Sequence, residues 1–151
     1  IYARGFRAED FARSHPGGAL GRRLLTHVRD IMRSGADVPA VNADATFIDL
    51  MKEISAKGMG AAAVVDMNRR VLGVFTDGDL RRAIESGEDL RQRRARELMK
   101  PGARTIGLDE LAAEAADQME QHRISCLLVL DAHGCLCGAL NTHDLMRAKV
   151  I

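Results

Sequence analysis

Two short polar turns contain the side chains that are best suited to chemistry in this sequence. In the first, FTDGDL, Thr76 stands three residues before Asp79. In the second, LNTHDL, Asn141 stands three residues before Asp144. This spacing is that of a capping box, in which the first side chain accepts from the third amide of a helix and the carboxylate accepts from the cap amide. Each turn therefore predicts the start of a helix, and capping alone accounts for a single such turn.

The recurrence of the turn favours a further role, the binding of a nucleotide. A helix start presents free amides and a positive dipole, which suit phosphate, and a carboxylate beside it can accept hydrogen bonds from the two hydroxyls of a ribose. We expect the two turns to face one cleft from opposite sides. The residues just before the central strands would also line it, namely Met59, Gly60, Ile124 and Ser125. The glycine fingerprint of dinucleotide folds and the Walker motif do not occur in the sequence, which disfavours those classes.

An internal repeat positions the two turns. Residues 61–83 (AAAVVDMNRRVLGVFTDGDLRRA) align without a gap to residues 126–148 (CLLVLDAHGCLCGALNTHDLMRA). Upstream, VRDIM at residues 28–32 resembles ARELM at residues 95–99. The repeat predicts that one supersecondary unit is used twice.

The hydrophobic pattern predicts the same elements in each copy: a short helix, an extended piece, an amphipathic helix, two strands and a final helix. Apolar residues at helical spacing predict the amphipathic helices: Ile48, Met51 and Ile54, then Leu111, Ala115 and Met119. The predicted strands are residues 61–66 and 71–75, then 126–131 and 136–140, with turns at Asn68 and at His133 and Gly134. The predicted final helices are residues 77–86 and 142–149.

Composition and charge exclude several function classes. The 151 residues carry 22 Lys and Arg against 21 Asp and Glu, with no Trp, so neither nucleic acid nor a membrane surface is an expected partner. Between the copies lies EDLRQRRARELMK, whose arginines favour a solvated helical linker over a nucleic-acid patch. No apolar run reaches the roughly 20 residues of a membrane-spanning helix.

The cysteines give weak evidence for a metal site. Cys135 and Cys137 would share one face of a strand, with His133 nearby and Cys126 in the preceding strand. A metal site would need further ligands, so we interpret these thiols as small apolar strand residues and predict no metal. An odd number of cysteines without framework spacing also predicts a cytoplasmic location.

With these residues and their repeat, positions 27–151 resemble a tandem pair of CBS domains, known as a Bateman module. The resemblance implies an α/β (α+β) fold with two small sheets, flanking helices and a pseudo-twofold axis. It implies one repeat at 27–88, and a linker helix with a second repeat at 89–151. In that family the Ser or Thr and the Asp of the turn hold a ribose, which assigns Thr76, Asp79 and Asp144 as ligand contacts, although Asn141 departs from the pattern. Family pairs commonly form homodimers.

The first 26 residues narrow the resemblance. The run AEDFARSHPGGALGR, followed by the repeat, resembles the domain junction of the D-arabinose-5-phosphate isomerase family, in which a sugar-isomerase (SIS) domain precedes a CBS pair. That resemblance implies that residues 1–26 are the tail of the SIS domain with a linker, and that His15 is catalytic together with that domain. An imidazole suits the proton transfers of aldose–ketose isomerisation. Because the chain opens at Ile1, we expect a fragment that has no isomerase activity by itself.

The same resemblance suggests a regulatory ligand but no catalytic cofactor. The family begins Kdo synthesis for lipopolysaccharide, so the activated end product, CMP-Kdo, is the expected effector. Its ribose would reach Asp79 or Asp144, its phosphate the amides of a helix that starts at Thr142 or its counterpart, and its carboxylate a protonated His143. AMP or ATP is the alternative ligand. The other alternative is a structural oligomerisation module that binds nothing.

Overall fold

The computed structural model describes residues 24–151, and they form two copies of one order of elements. The first copy comprises α1 (Val28–Ile31), a 3-10 turn (Gly35–Asp37), β1 (Ala40–Asn42), α2 (Phe47–Lys57), β2 (Ala61–Val65), β3 (Val71–Thr76) and α3 (Asp77–Glu85). The second comprises α4 (Ala95–Leu98), β4 (Lys100–Pro101), β5 (Thr105–Gly107), α5 (Ala112–His122), β6 (Cys126–Leu130), β7 (Leu136–Asn141) and α6 (Thr142–Arg147). The predicted order of elements is therefore confirmed.

Each copy contributes one small mixed sheet. In the first sheet β1 runs parallel to β2, and β2, β3 and β4 follow as antiparallel neighbours. In the second, β5 runs parallel to β6, and β6 pairs antiparallel with β7. Each parallel pair needs a crossover, which α2 and α5 provide. All five residues of β2 are buried, which explains why its sequence is a continuous apolar run.

The segment that leads into each repeat packs on the other repeat. β4, in the leading segment of the second repeat, forms the edge of the first sheet beside β3. Arg33, in the leading segment of the first repeat, exchanges backbone hydrogen bonds with Ala139 of β7 at 2.8 and 3.1 Å. The short helices follow the same rule, because the amide of Val28 in α1 donates to Glu110 and the amide of Ala95 in α4 donates to Ala45. These reciprocal contacts are those of two copies related by an approximate twofold axis. The ranges 27–88 and 89–151 thus describe the repeats in sequence. In the folded chain, the leading segment of each repeat, which begins with α1 or α4, packs on the other repeat.

The two sheets share one hydrophobic cluster. It unites Ala63 and Val65 of the first sheet with Leu128 and Ala139 of the second. Further clusters lie beneath the helices of each copy, one around Leu50 and Phe75 and the other mainly on the second copy. The two small sheets that the resemblance implies are therefore both present, and they pack together.

Two sequence predictions are wrong in detail. The side chain of Ile48, expected on the buried face of α2, is 55% exposed. Ile54 is buried as expected, and Leu50 is buried beside it. The linker is helical only in α4, because Gly87 ends the preceding helix in a left-handed conformation (φ 77°) and Leu90 turns into the interior with 5% exposure. The linker is therefore not the solvated helix that its charges predicted, because Leu90 is buried.

The predicted hairpin turns are confirmed, and one aspartate organises each of them. The carboxylate of Asp66 accepts from the amides of Asn68 and Arg70 at 2.8 and 3.0 Å. The carboxylate of Asp131 accepts from the amides of His133 and Cys135 at 2.8 and 3.0 Å. The repeat is therefore preserved at the level of single hydrogen bonds. His15 and the rest of residues 1–23 lie outside the described residues.

Candidate functional site

The first polar turn is a complete capping box at the start of α3. Strand β3 ends at Thr76 in an extended conformation. The Thr76 hydroxyl accepts from the Asp79 amide, and the Asp79 carboxylate accepts from the Thr76 amide, both at 3.1 Å. The second carboxylate oxygen of Asp79 accepts from Arg82 at 2.5 Å. The turn thus holds an aspartate in a defined orientation at a helix start.

The second turn repeats this geometry at the start of α6. The Asn141 side chain accepts from the Asp144 amide at 2.9 Å, and the Asp144 carboxylate accepts from the Asn141 amide at 3.0 Å. Asparagine is as good an N-cap as threonine, so the second turn keeps the backbone geometry of the first although Asn141 stands in place of threonine. Both capping boxes predicted from the sequence are confirmed.

A cleft of about 770 Å³ opens at the first turn. Among the residues predicted to bind a ligand, four line it: Gly60, Thr76, Asp79 and Ser125. Ile124 lines it as well. Residues from both repeats therefore meet there, because the end of α5 and the start of β6 face the start of α3.

Gly60 is required by the backbone of this turn. Its φ is +70°, and a Cβ at this position would lie 3.2 Å from the Asp77 carboxylate. Its carbonyl accepts from the Asp77 amide at 2.9 Å. The glycine therefore allows the loop before β2 to approach the start of α3 closely.

The other predicted residues lie elsewhere. Met59 is 5% exposed and belongs to the cluster between the sheets. Thr142 lines a separate cavity of about 290 Å³, His143 is exposed on α6, and neither they nor Asp144 line the large cleft. The expectation that both turns face one cleft is not met, and ligand binding by these four residues stays a prediction.

The Asp144 carboxylate is occupied by an arginine from the first repeat. Its side chain is 5% exposed, and it accepts from Arg33 through Nε at 3.3 Å and through Nη2 at 3.4 Å. Arg33 also donates to the carbonyl of Lys57 at 3.2 Å. The exchange of leading segments brings Arg33 to this position, 111 residues away in sequence. Both matching aspartates therefore pair with an arginine, but Asp79 lines a cleft, whereas Asp144 is buried against an arginine from the other repeat.

The cleft is electropositive. Its charged residues comprise two acids, Asp77 and Asp79, and five cations: Arg81, Arg82, Lys100, Arg104 and Arg123. Within residues 24–151, Arg82 is the one of these cations that forms an ion pair. Apolar side chains, among them Leu128 and Val74, supply the remaining surface. This arrangement suits an anion with an apolar or aromatic portion.

Sequence reasoning missed these cations. Lys100 and Arg104 lie in the leading segment of the second repeat, and Arg123 directly follows α5. The overall charge balance concealed them, because the excess of positive charge is local. Their location in the sequence could have revealed them, because each lies next to an element that the repeat predicts to be near the turn.

Asp79 is held in its ionised form. Burial raises its pKa, but hydrogen bonds from Arg82 and from Thr76 outweigh that effect, and the net pKa is lowered from 3.8. An ionised carboxylate only accepts hydrogen bonds. Asp79 is therefore suited to receive hydroxyl groups of a ligand at neutral pH.

The cleft also contains the thiol of Cys126, whose burial disfavours the thiolate. Burial raises the pKa of Cys126 to about 11, and the thiolate is the nucleophilic form.

Within residues 24–151 no group of three or more His, Cys, Asp or Glu residues is placed to hold a metal ion. Over the same residues no helix combines the length and apolarity that a bilayer crossing needs.

Alkylation tests the state of the Cys126 thiol. In the folded protein at pH 8, iodoacetamide should modify Cys126 about a hundredfold more slowly than an unperturbed thiol, because a pKa of about 11 in place of 9.0 lowers the thiolate fraction by that factor. Peptide mass spectrometry of a time course would measure the rate, with the urea-unfolded protein as the control. Equal rates for Cys126 in the folded and unfolded protein would contradict this effect of burial.

Comparison with known proteins agrees with this architecture. A family model described as CBS domain matches residues 28–86 and 95–151. The solved structure of CBSX2 in complex with AMP has a TM-score of 0.69 to this chain, with 23% identity, and the match covers 82% of this chain and 95% of that one. The fold of a tandem CBS pair, which the sequence resemblance implied, is therefore confirmed.

Curated relatives extend the similarity to the whole chain. Arabinose 5-phosphate isomerase KdsD of Pseudomonas aeruginosa is 48% identical over 151 residues, which are 100% of this chain and 46% of that relative. The protein of the same name from Escherichia coli strain K12 is 45% identical over the same coverage. The chain thus spans about half the length of the curated relatives it matches.

Proposed function

Because this chain belongs to the CBS domain family, we propose that its electropositive cleft binds an anionic nucleotide or nucleotide sugar as a regulatory ligand. The observation that carries the proposal is the ionised Asp79 at the start of α3, in a cleft with a local excess of arginine and lysine. Asp79 would accept the ribose hydroxyls, and the nearby cations, together with the amide of Gly78 in the first turn of α3, would bind phosphate. Apolar side chains such as Leu128 would contact the base.

The relatives supply the context of this ligand. We propose that the chain is the regulatory part of a longer cytoplasmic arabinose 5-phosphate isomerase, which interconverts ribulose 5-phosphate and arabinose 5-phosphate and whose catalytic domain uses His15. CMP-Kdo, the activated end product of the Kdo route, is then the natural feedback effector. It carries a ribose diol, a phosphate and a carboxylate, and two anionic groups match the excess of cations in the cleft. AMP or ATP is the alternative ligand.

A different observation favours oligomerisation as a second role. Three large apolar side chains on three helices are exposed, Ile48 at 55%, Ile84 at 62% and Met146 at 55%. Burying such residues against a second copy would be favourable. A homodimer formed through these helices is compatible with a ligand in the cleft, and it would be the sole role of the module if no ligand binds.

Calorimetric titration tests the proposed ligand. Wild-type protein should bind CMP-Kdo more tightly than CMP, AMP or ATP, with a matching rise in melting temperature. Asp79→Asn keeps an acceptor for the cap but removes the charge that receives the ribose, so it should weaken CMP-Kdo binding by about tenfold or more.

The repeat offers a matched control. Asp144→Asn makes the same change in the same kind of cap, and it decides between two expectations: CMP-Kdo affinity stays within about twofold of wild type if charge at the cleft decides binding, or falls as in Asp79→Asn if Asp144 also contacts the ligand, as the sequence predicts. Tighter binding of AMP or ATP would remove the feedback hypothesis. Absence of heat and of any melting shift with all four compounds would leave the oligomerisation role alone.

A further inference from the structure

The two helices that precede the central strands end in the same backbone conformation but with different residues. The residue that caps the end of helix α2 is Gly58, with φ 65° and ψ 27°, and the residue that caps the end of helix α5 is Arg123, with φ 53° and ψ 46°. Glycine adopts this left-handed conformation without steric cost, whereas a residue with a Cβ does not. The first repeat therefore uses the residue that the backbone favours, and the second uses an arginine.

Arg123 combines this conformation with a place in the cleft. Within residues 24–151 three residues other than glycine have positive φ, namely Arg69, Arg123 and Lys149. Of these, Arg123 alone lines the cleft. Strained backbone at a concave surface is a reason to look for function, since a glycine would be more stable there.

The charge of Arg123 is uncompensated. In the part of the chain that the structure describes, no carboxylate lies within 4.0 Å of its guanidinium, and the residue is exposed. Arg82, by contrast, is already paired with Asp79. Arg123 extends from the second repeat, whereas Asp79 and Arg82 belong to the first. A ligand held by both would bridge the two repeats.

We propose that Arg123 is a ligand-binding residue that contacts an anionic group of the nucleotide or nucleotide sugar and is retained at the cost of backbone strain. This inference rests on the proposed function of the cleft. It adds that the ligand spans the repeats, with its ribose at Asp79 and an anionic group at Arg123. Binding would then stabilise one arrangement of the two repeats, which is the requirement for regulation.

The test is the pair of variants Arg123→Gly and Arg69→Gly. Both variants place glycine where the backbone is left-handed and so remove steric strain, and each should raise the melting temperature by about 2 to 4 °C. Arg123→Gly should also weaken CMP-Kdo binding by about tenfold, whereas Arg69→Gly, in the hairpin turn outside the cleft, should leave it within about twofold. Arg123→Lys, which keeps the charge, should recover most of the lost affinity.

The ligand profile identifies the anionic group and separates the two proposals. A loss confined to CMP-Kdo assigns Arg123 to the carboxylate, and an equal loss for CMP assigns it to the phosphate; either result supports the inference. Wild-type binding with unchanged affinity in Arg123→Gly overturns the inference and leaves the proposed function standing. A melting temperature of Arg123→Gly below that of wild type overturns it as well, because the side chain would then serve the fold. If wild type binds none of CMP-Kdo, CMP, AMP and ATP, both proposals fail.

Discussion

Replacing Asp144 by alanine is expected to lower the free energy of unfolding by about 3 kcal/mol, whereas the same change at Asp79 should cost about 1 kcal/mol. Both substitutions remove the acceptor of a cap amide. At Asp144 the change also leaves Arg33 without its carboxylate, beside a site that is 5% exposed. Asp79 is 16% exposed, and its partner Arg82 is 67% exposed, so water can replace what the second variant loses.

Urea denaturation of the two variants measures this difference, and the corresponding fall in melting temperature for Asp144→Ala is about 10 °C. Asp144→Asn separates the two contributions, because the amide oxygen still accepts from the cap but the ion pair with Arg33 is weakened. It should fall between wild type and Asp144→Ala. Equal destabilisation by the alanine variants of both aspartates would show that the Arg33 contact contributes nothing.

Replacing Gly138 or Gly73 by alanine is expected to destabilise the protein by about 2 to 3 kcal/mol, because each glycine makes room for the leading segment of the other repeat. A Cβ at Gly138 would lie 2.5 Å from the Met32 sulfur and 2.9 Å from the Arg33 carbonyl oxygen. A Cβ at Gly73 would lie 2.7 Å from the Lys100 carbonyl oxygen and 2.8 Å from the Met99 sulfur. A methionine side chain can move, but the backbone oxygens belong to the strand contacts that join the repeats.

Gly107→Ala is the matched control, since the nearest atom to its Cβ would be the Glu110 Cγ at 3.7 Å. That variant should be neutral or slightly stabilising, because alanine lowers the entropy of the unfolded chain. Adding Met32→Ala to Gly138→Ala should restore part of the lost stability but not all, because the Arg33 carbonyl oxygen remains in place. Thermal melts of the four variants would decide the matter. Wild-type stability in Gly138→Ala would contradict the packing between leading segment and sheet.

Gly73 and Gly138 show how much of the fold the sequence predicts and what only the structure explains. The repeat alignment paired Gly73 with Gly138 and predicted that both lie in equivalent strands, which the structure confirms. It could not say why glycine stands there. The reason is a methionine and a backbone oxygen from a segment more than 25 residues away for Gly73 and more than 100 for Gly138, and no local pattern contains that contact.

The candidate site also has features that the sequence predicted and features that only the structure shows. Capping spacing correctly predicted the hydrogen bonds of Thr76 with Asp79 and of Asn141 with Asp144. The prediction treated the two aspartates as equivalent, and there the structure differs. The position of Arg33 closes one carboxylate, and the second repeat surrounds the other with cations that the balanced overall charge had hidden.

The sequence by itself determined the elements, their order, the repeat and the chemistry of each turn, because helix caps, apolar periods of two or 3.6 residues and tight turns depend on neighbours within a few positions. Only the tertiary structure decided which turn opens to a cleft. That outcome depends on the exchange of leading segments between the repeats, which places Arg33 against Asp144 and Lys100 beside the cleft at Asp79. Burial and local potential are sums over residues that are distant in sequence, so identical motifs acquire different environments and, with them, different roles.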